Sequence, residues 1–185
     1  MTFRGTAATL LEKMASLESA DLEILRGIDR QDYPAALAAI ARAYRPRIGA
    51  FCFGMLGDTD DAQDAVQETL LGALDAMPRF RGETSLRAWL LSIARHKCLD
   101  RLRRRAVRLA SELDDETPGP AFDPVDTEWV RRGLADLAES DRAAVLLKYA
   151  VGLSFEEIAD ALGLSLSAAK MRTVRALERL RRRMT

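Results

Sequence analysis

One histidine and two cysteines are the whole stock of imidazole and thiolate metal ligands in 185 residues. Cys52 and Cys98 stand far apart along the chain and set up no disulfide framework of the kind that staples small secreted domains. His96 lies two residues before Cys98, but a four-ligand zinc site here would have to recruit carboxylates as well, and a buried structural thiol is the commoner use of a free cysteine. The expectation is no metal and no cofactor. Long hydrophobic runs are missing too. No stretch approaches the roughly 18 apolar residues that a membrane helix needs, and the N-terminus lacks the basic-then-apolar layout of a signal peptide, which points to a cytoplasmic chain without membrane insertion. There is no phosphate-binding glycine loop and no nucleophile beside a base, so the chain is not read as an enzyme and no residue is assigned as catalytic. Glycines number 11 and prolines 6, and β-branched residues are few among abundant Ala, Leu, Arg, Asp and Glu. That composition predicts an all-α fold.

Net charge is also absent, with 28 basic and 28 acidic residues, but the zero hides segregation. Residues 95–108 carry seven Lys or Arg against one acid, and so do residues 170–183; half of all basic side chains therefore lie in two short segments. Between Met55 and Pro78 there are six acids and no Lys or Arg. A polyanion and a basic partner can be bound at different places on one chain.

The stretch from Leu153 to Met184 reads as a helix-turn-helix. Ser154 and Glu157 have the S-x-x-E spacing of a capping box, so a short helix should start at Phe155. Gly163 can take the left-handed conformation that closes it, and Ser165 or Ser167 can cap a second helix. On that second helix Ala169, Thr173, Ala176, Leu177, Leu180 and Met184 share one side, while Ala168, Met171, Arg172, Arg175, Arg179 and Arg182 share the other. A cationic face that begins at the N-terminal turn is what a recognition helix presents to the major groove, and Met171 among arginines suits contact with a thymine methyl.

Upstream, residues 1–20 form a weakly patterned extension, and 20–31 a short helical stretch. Pro34 is placed to start a helix that repeats apolar residues through Ile40, Tyr44, Ile48, Phe51 and Met55 to Gly57. The polar turn 58–61 should cap a helix from about Ala62 to Met77, with Ala62, Val66, Leu70, Ala73, Leu74 and Met77 inward and Asp64, Gln67, Glu68 and Leu71 outward. Pro78 breaks it. A loop follows, and Leu86, Trp89, Leu90 and Ile93 then begin a long helix that runs out in Arg103, Arg104 and Arg105. Trp89 belongs to its apolar face. Residues 106–127 carry the acids and prolines of a flexible acidic linker between two small helical domains, 21–105 and 128–185. In the second, Leu134, Leu137, Ala138, Val145, Leu146 and Tyr149 are the expected scaffold, with Ser140 or Asp141 capping the helix before the helix-turn-helix.

Taken in order, Ala-Tyr-Arg-Pro-Arg-Ile (43–48), Asp-Ala-Val-Gln-Glu-Thr (64–69), Phe-Arg-Gly-Glu (80–83), Leu-Arg-Ala-Trp-Leu-Leu-Ser-Ile-Ala-Arg (86–95), Cys-Leu-Asp-Arg-Leu-Arg-Arg-Arg (98–105) and the helix-turn-helix resemble an extracytoplasmic-function sigma factor, the two-domain type of bacterial transcription initiation factor. The resemblance spans about residues 21–184. It implies that residues 21–105 bind core RNA polymerase and open the minus-ten promoter element, and that 128–185 bind the minus-thirty-five element. By the same resemblance Asp61, Asp64, Gln67, Glu68 and Leu71 would dock on the polymerase. Phe80, Arg81, Arg95, His96, Lys97, Arg101, Arg103 and Arg104 would hold single-stranded minus-ten DNA; His96 stands where many relatives carry Asn. Ser167, Lys170, Met171, Arg172, Val174, Arg175 and Arg179 would meet the minus-thirty-five duplex, with Met171 and Val174 making the readout more apolar than usual. The linker would thread polymerase channels as a nucleic-acid mimic, and an anti-sigma factor is the implied regulatory partner. The other reading is a helix-turn-helix regulator that binds DNA without polymerase, which leaves the acidic and basic helices of the N-terminal half without a task.

Overall fold

In a computed structural model the described residues are 19–111 and 128–183, and the secondary structure among them is helical. The helices are α1 (19–29), α2 (Tyr33–Leu56), α3 (Thr59–Ala76), α4 (Leu86–Ser111), α5 (Glu128–Ala135), α6 (Glu139–Leu146), α7 (Phe155–Leu162) and α8 (Leu166–Arg183). The readings of residues 1–18 as an extension, of 112–127 as linker and of Met184 as an apolar contact lie outside the described residues. α4 runs to Ser111, several residues into the segment expected to be linker, because Ala106 to Ser111 contain no proline or glycine to stop it.

The chain divides into two compact units, one reaching to Arg45 and including Leu70–Arg81, the other made of Pro46–Thr69 and Gly82 onward. The second unit holds both α4 and the helix-turn-helix. In the first unit α1 ends where Gln31 takes a left-handed φ of 58° and Asp32 N–H donates to the Gly27 carbonyl at 2.8 Å. Gly27 is required there, because a Cβ on it would stand 3.0 Å from that of Ala36. Asp32 Oδ1 then accepts from Ala35 N–H at 3.2 Å and caps α2. Ile24 and Tyr44 are fully buried, the Tyr44 hydroxyl donates to Asp21, and Arg42 pairs with Glu23 at 2.6 Å.

In the second unit α2 ends at Gly57 (φ 71°), and Asp58 Oδ1 caps α3 by accepting Asp61 N–H at 2.8 Å; the helix starts at Thr59, three residues earlier than its apolar spacing suggested. Ile48, Phe51, Cys52, Met55, Leu90, Leu91, Ala94 and Cys98 are fully buried, each worth about 1.5–3 kcal/mol for the larger side chains. Trp89 is only half-buried. α7 rests on α4, and α8 packs against α6 and α7. Glycine makes two of these approaches possible: a Cβ on Gly54 would stand 2.5 Å from Leu146 Cδ2, and one on Gly133 2.6 Å from Leu180 Cδ1.

Two sequence expectations fail in this unit. Tyr149 is 61% exposed because the chain leaves α6 through a π-helical turn, Leu147–Val151, which rotates Tyr149 off the inner face and leaves Leu147 and Leu153 to fill it, and Ala138 is exposed at the other end of α6, as its N-cap. Neither Ser140 nor Asp141 caps α6, whose N-cap is Ala138 with no side-chain bond. The carboxylate of Asp141 reaches α8 instead. The junction before α6 is held by Arg142, which donates from Nη2 to the Ala135 and Leu137 carbonyls at 2.8 and 3.3 Å and from Nη1 to the Met55 carbonyl at 2.6 Å.

Candidate functional site

The helix-turn-helix forms as its residues dictate. Ser154 Oγ accepts Glu157 N–H at 3.1 Å while Glu157 Oε2 accepts Ser154 N–H at 2.9 Å, which completes the capping box. Gly163 closes α7 in the left-handed region at φ 64°. Ser165 Oγ then accepts Ala168 N–H at 3.2 Å and opens α8; of the two serines expected to serve, it is Ser165 that does, with the Ser167 hydroxyl 3.2 Å from it. Ala169, Thr173, Ala176 and Leu180 are buried, and Thr173 tolerates this by donating Oγ1–H to the Ala169 carbonyl at 2.8 Å.

The opposite side of α8 presents Ser167, Lys170, Met171, Val174, Arg175 and Arg179, all exposed; Met171 is 55% and Val174 50% exposed. These two apolar side chains sit exposed among cations. Arg172 is more enclosed. Its Nε is 4.0 Å from Asp141 Oδ1, and Asp141 Oδ2 is 2.7 Å from Arg179 Nη1. At the start of α7, Lys148 Nζ lies 4.5 Å above the Phe155 ring while donating to the Leu153 carbonyl, and Lys170 Nζ lies 5.9 Å from the same ring.

The residues of α4 and of the loop before it separate into two groups. Arg81, His96, Arg103 and Arg104 are exposed, Phe80 and Lys97 half-buried. His96 Nδ1 is 2.7 Å from the Ser92 carbonyl, which fixes its ring along the helix. Arg95 is enclosed: burial lowers its guanidinium from the ordinary value, the charge of Arg172 lowers it further, and Glu139 opposes this in part. Its Nε has no hydrogen-bond partner among the described residues. Arg101 points toward α3. Nη1 is 2.9 Å from Asp61 Oδ1, and Nη2 is 2.7 Å from Glu68 Oε1 and 3.3 Å from Asp64 Oδ2. Burial alone would pull its guanidinium down, but the hydrogen bond and charge of Glu68, joined by Asp61 and Asp64, raise it above the ordinary value.

Arg101 thus joins residues that the sequence assigned to two different partners. Asp61, Asp64 and Glu68 share one guanidinium, while Gln67 and Leu71, the latter 60% exposed, stay on the open side of α3. Sequence reasoning missed this pairing, as it missed the link between Glu157 Oε1 and region around Ser85 and Arg87, whose hydroxyl and guanidinium lie 2.9 and 3.0 Å away. Periodicity assigns residues to faces of one helix and carries no record of which other helix is opposite. Asp141 did leave a signal, an acid in the first turn of a helix, but a cap was the wrong use of it. Among the described residues no helix is long and apolar enough to cross a membrane, and no group of three or more His, Cys, Asp or Glu is gathered as a metal site.

Comparison with known proteins locates the same two halves. Residues 40–108 match the family model described as sigma-70 region 2, and residues 127–180 the one described as sigma-70, region 4. The chain is similar to the ECF RNA polymerase sigma factor SigC of Mycobacterium tuberculosis, 33% identical over 153 residues that cover 78% of this chain and 81% of the relative. It is also similar to the ECF RNA polymerase sigma factor SigF of Caulobacter vibrioides, 34% identical with 87% and 91% covered. Among solved structures, the sigma factor RpoE in complex with the anti-sigma factor NepR from Bartonella quintana matches with a TM-score of 0.69 and 27% identity, over 78% of this chain and 93% of that one. CnrH in complex with the cytosolic domain of CnrY matches at 0.65 and 25%, over 86% and 93%.

Proposed function

Since the chain belongs to the extracytoplasmic-function sigma factors of the sigma-70 family, we propose a division of its transcription-initiation task among the three surfaces described above. α3 docks on core RNA polymerase through Gln67 and Leu71 at its open side and the exposed Asp64 beside them, with Asp61, Asp64 and Glu68 tied to Arg101. The Phe80 and Arg81 loop, the exposed α4 residues His96, Arg103 and Arg104 and the half-buried Lys97 engage the minus-ten strand once it is single, where cations follow phosphates and an aromatic side chain offers a stacking surface. α8 enters the major groove of the minus-thirty-five element with Lys170, Met171, Arg172, Val174 and Arg175.

The observation that carries this reading is the outer face of α8, where Met171 and Val174 lie exposed between cations at the capped, N-terminal half of the helix. Solvated arginines alone would not call for apolar neighbours, whereas thymine methyls do. An anti-sigma factor is proposed as the regulatory partner, supported by the similar sigma factor RpoE solved in complex with an anti-sigma factor, and the cytoplasm as the compartment, since that is where polymerase is. Run-off transcription with core polymerase and a genomic fragment library is the test. Promoter-specific transcripts that depend on the chain are expected. A chain that retains duplex DNA but neither binds core polymerase nor supports transcripts would favour a helix-turn-helix regulator acting without polymerase.

A further inference from the structure

Asp141 has a well-enclosed side chain, 15% exposed, and its carboxylate reaches two arginines of α8. It stands in the first turn of α6, and its backbone N–H donates to the Ala138 carbonyl at 2.9 Å, so the side chain is not spent on the helix end. α6 is itself fixed by Arg142, whose guanidinium binds three carbonyls, and it lies along α8. A carboxylate mounted there is stationary relative to the recognition helix. Its two oxygens divide between two arginines seven positions apart, Oδ1 toward Arg172 Nε at 4.0 Å and Oδ2 to Arg179 Nη1 at 2.7 Å.

From this geometry we infer that Asp141 is a positioning residue for base recognition: its charge attracts the Nε side of Arg172 across 4.0 Å, beyond hydrogen-bond reach, so that the outer Nη1 and Nη2 edge is left as the fork that reads a base. An arginine reads guanine through two parallel N–H bonds, and the fork discriminates only when its plane is set before contact. A free arginine samples many rotamers and is drawn to the nearest phosphate; a charge at Nε from a fixed helix removes much of that choice. The same carboxylate holds back Arg179, which would otherwise add sequence-independent attraction to the backbone. Asp141 therefore exchanges general DNA affinity for discrimination, which is the reverse of what a residue that merely secures α6 to α8 would do.

This inference rests on the assignment of Arg172 to base reading, and the experiment separates the two. Holoenzyme reconstituted with core polymerase is titrated with promoter fragments carrying each single-base change in the minus-thirty-five element, and with unrelated duplex, over a salt series. The variants are Asp141→Asn, Asp141→Glu and Arg172→Ala, each checked for an unchanged melting transition. Arg172→Ala should erase discrimination on the order of tenfold at one or two positions. Asp141→Asn should flatten the same positions while binding unrelated duplex more tightly, with a salt slope steeper by about one unit for the released cation. Asp141→Glu should restore part of the discrimination. If Arg172→Ala leaves every position unchanged, the reading of α8 fails and the role of Asp141 falls with it. If Arg172→Ala flattens those positions and Asp141→Asn does not, or if Asp141→Asn weakens promoter and unrelated duplex alike, only the role of Asp141 is overturned.

Discussion

Glu157 on α7 lies 3.0 Å from Arg87 on α4, and the same oxygen accepts the Ser85 hydroxyl at 2.9 Å while the other completes the capping box. One carboxylate therefore starts the helix-turn-helix and seats it on α4. Arg87 is 36% exposed, so Arg87→Ala should cost only about 0.5–1 kcal/mol. Glu157→Ala removes the cap as well as both cross-helix bonds and should cost about 2–3 kcal/mol, with Glu157→Gln between them because glutamine still serves a capping box. Urea unfolding of the full chain measures the series. Equal losses for Arg87→Ala and Glu157→Ala would mean that the cap contributes nothing.

Arg101 is the place where site assignment from sequence and the structure part company. Its position in a run of arginines says cation on a basic helix, and only the fold shows Asp61, Asp64 and Glu68 opposite it. With its side chain 17% exposed, Arg101→Gln should destabilise the chain by about 1–3 kcal/mol. The salt dependence of promoter binding by the holoenzyme should stay as it was. A slope reduced by about one unit, as when a phosphate contact is removed, would return Arg101 to the DNA interface.

Polymerase docking is best probed at Asp64, whose side chain is 61% exposed and 3.3 Å from Arg101 Nη2, rather than at Glu68, which is 31% exposed and only 2.7 Å away, so that a reversed charge there would confront Arg101 more closely. Asp64→Arg should weaken core binding by about 2–4 kcal/mol in an equilibrium titration, since a like charge would then face a basic partner surface. Core affinity equal to that of the unaltered chain would remove α3 from the docking surface.

The helical class, the order of elements and the helix-turn-helix were legible in the sequence because each depends on neighbours within a few positions: Ser154 with Glu157, Gly163 after Leu162, Pro34 at the start of α2. Local signals failed where a distant element decides. Asp141 looks like a cap until Arg172 and Arg179 are set beside it, and Tyr149 fits an apolar repeat until the π-helical turn shifts the register. The two cysteines show the same limit. Far apart in sequence, they sit close enough in the core for the Cys98 thiol to hydrogen-bond with Cys52.

That hydrogen bond comes first among the causes that push the Cys98 thiol well above its ordinary value, with burial second. The fold thus favours the neutral thiol. A folded value above the unfolded one contributes stability that is fully present below the unfolded value of about 9 and declines as pH rises past it. Both thiols should resist an aromatic disulfide reagent at neutral pH until the chain unfolds, and the alkaline loss of stability should be shallower in Cys98→Ala. Rapid labelling of the native chain would contradict the closed packing around this pair.

On α8, contacts to bases and contacts to phosphates should separate along the helix axis. Arg172 and Met171 lie in its N-terminal half, the end that a recognition helix inserts most deeply, whereas Arg182 lies exposed near its end. Arg172→Ala should cost about 1–3 kcal/mol on the preferred promoter and relax preference at one or two minus-thirty-five positions. Met171→Ala should lose affinity only where a thymine methyl is present. Arg182→Ala should weaken all sequences alike and reduce the salt slope by about one unit. Holoenzyme titrations against single-base promoter variants at several salt concentrations measure all three. Uniform weakening by Arg172→Ala would mean that α8 selects its site through the shape and deformability of the duplex, with its arginines following phosphates whose spacing the sequence sets.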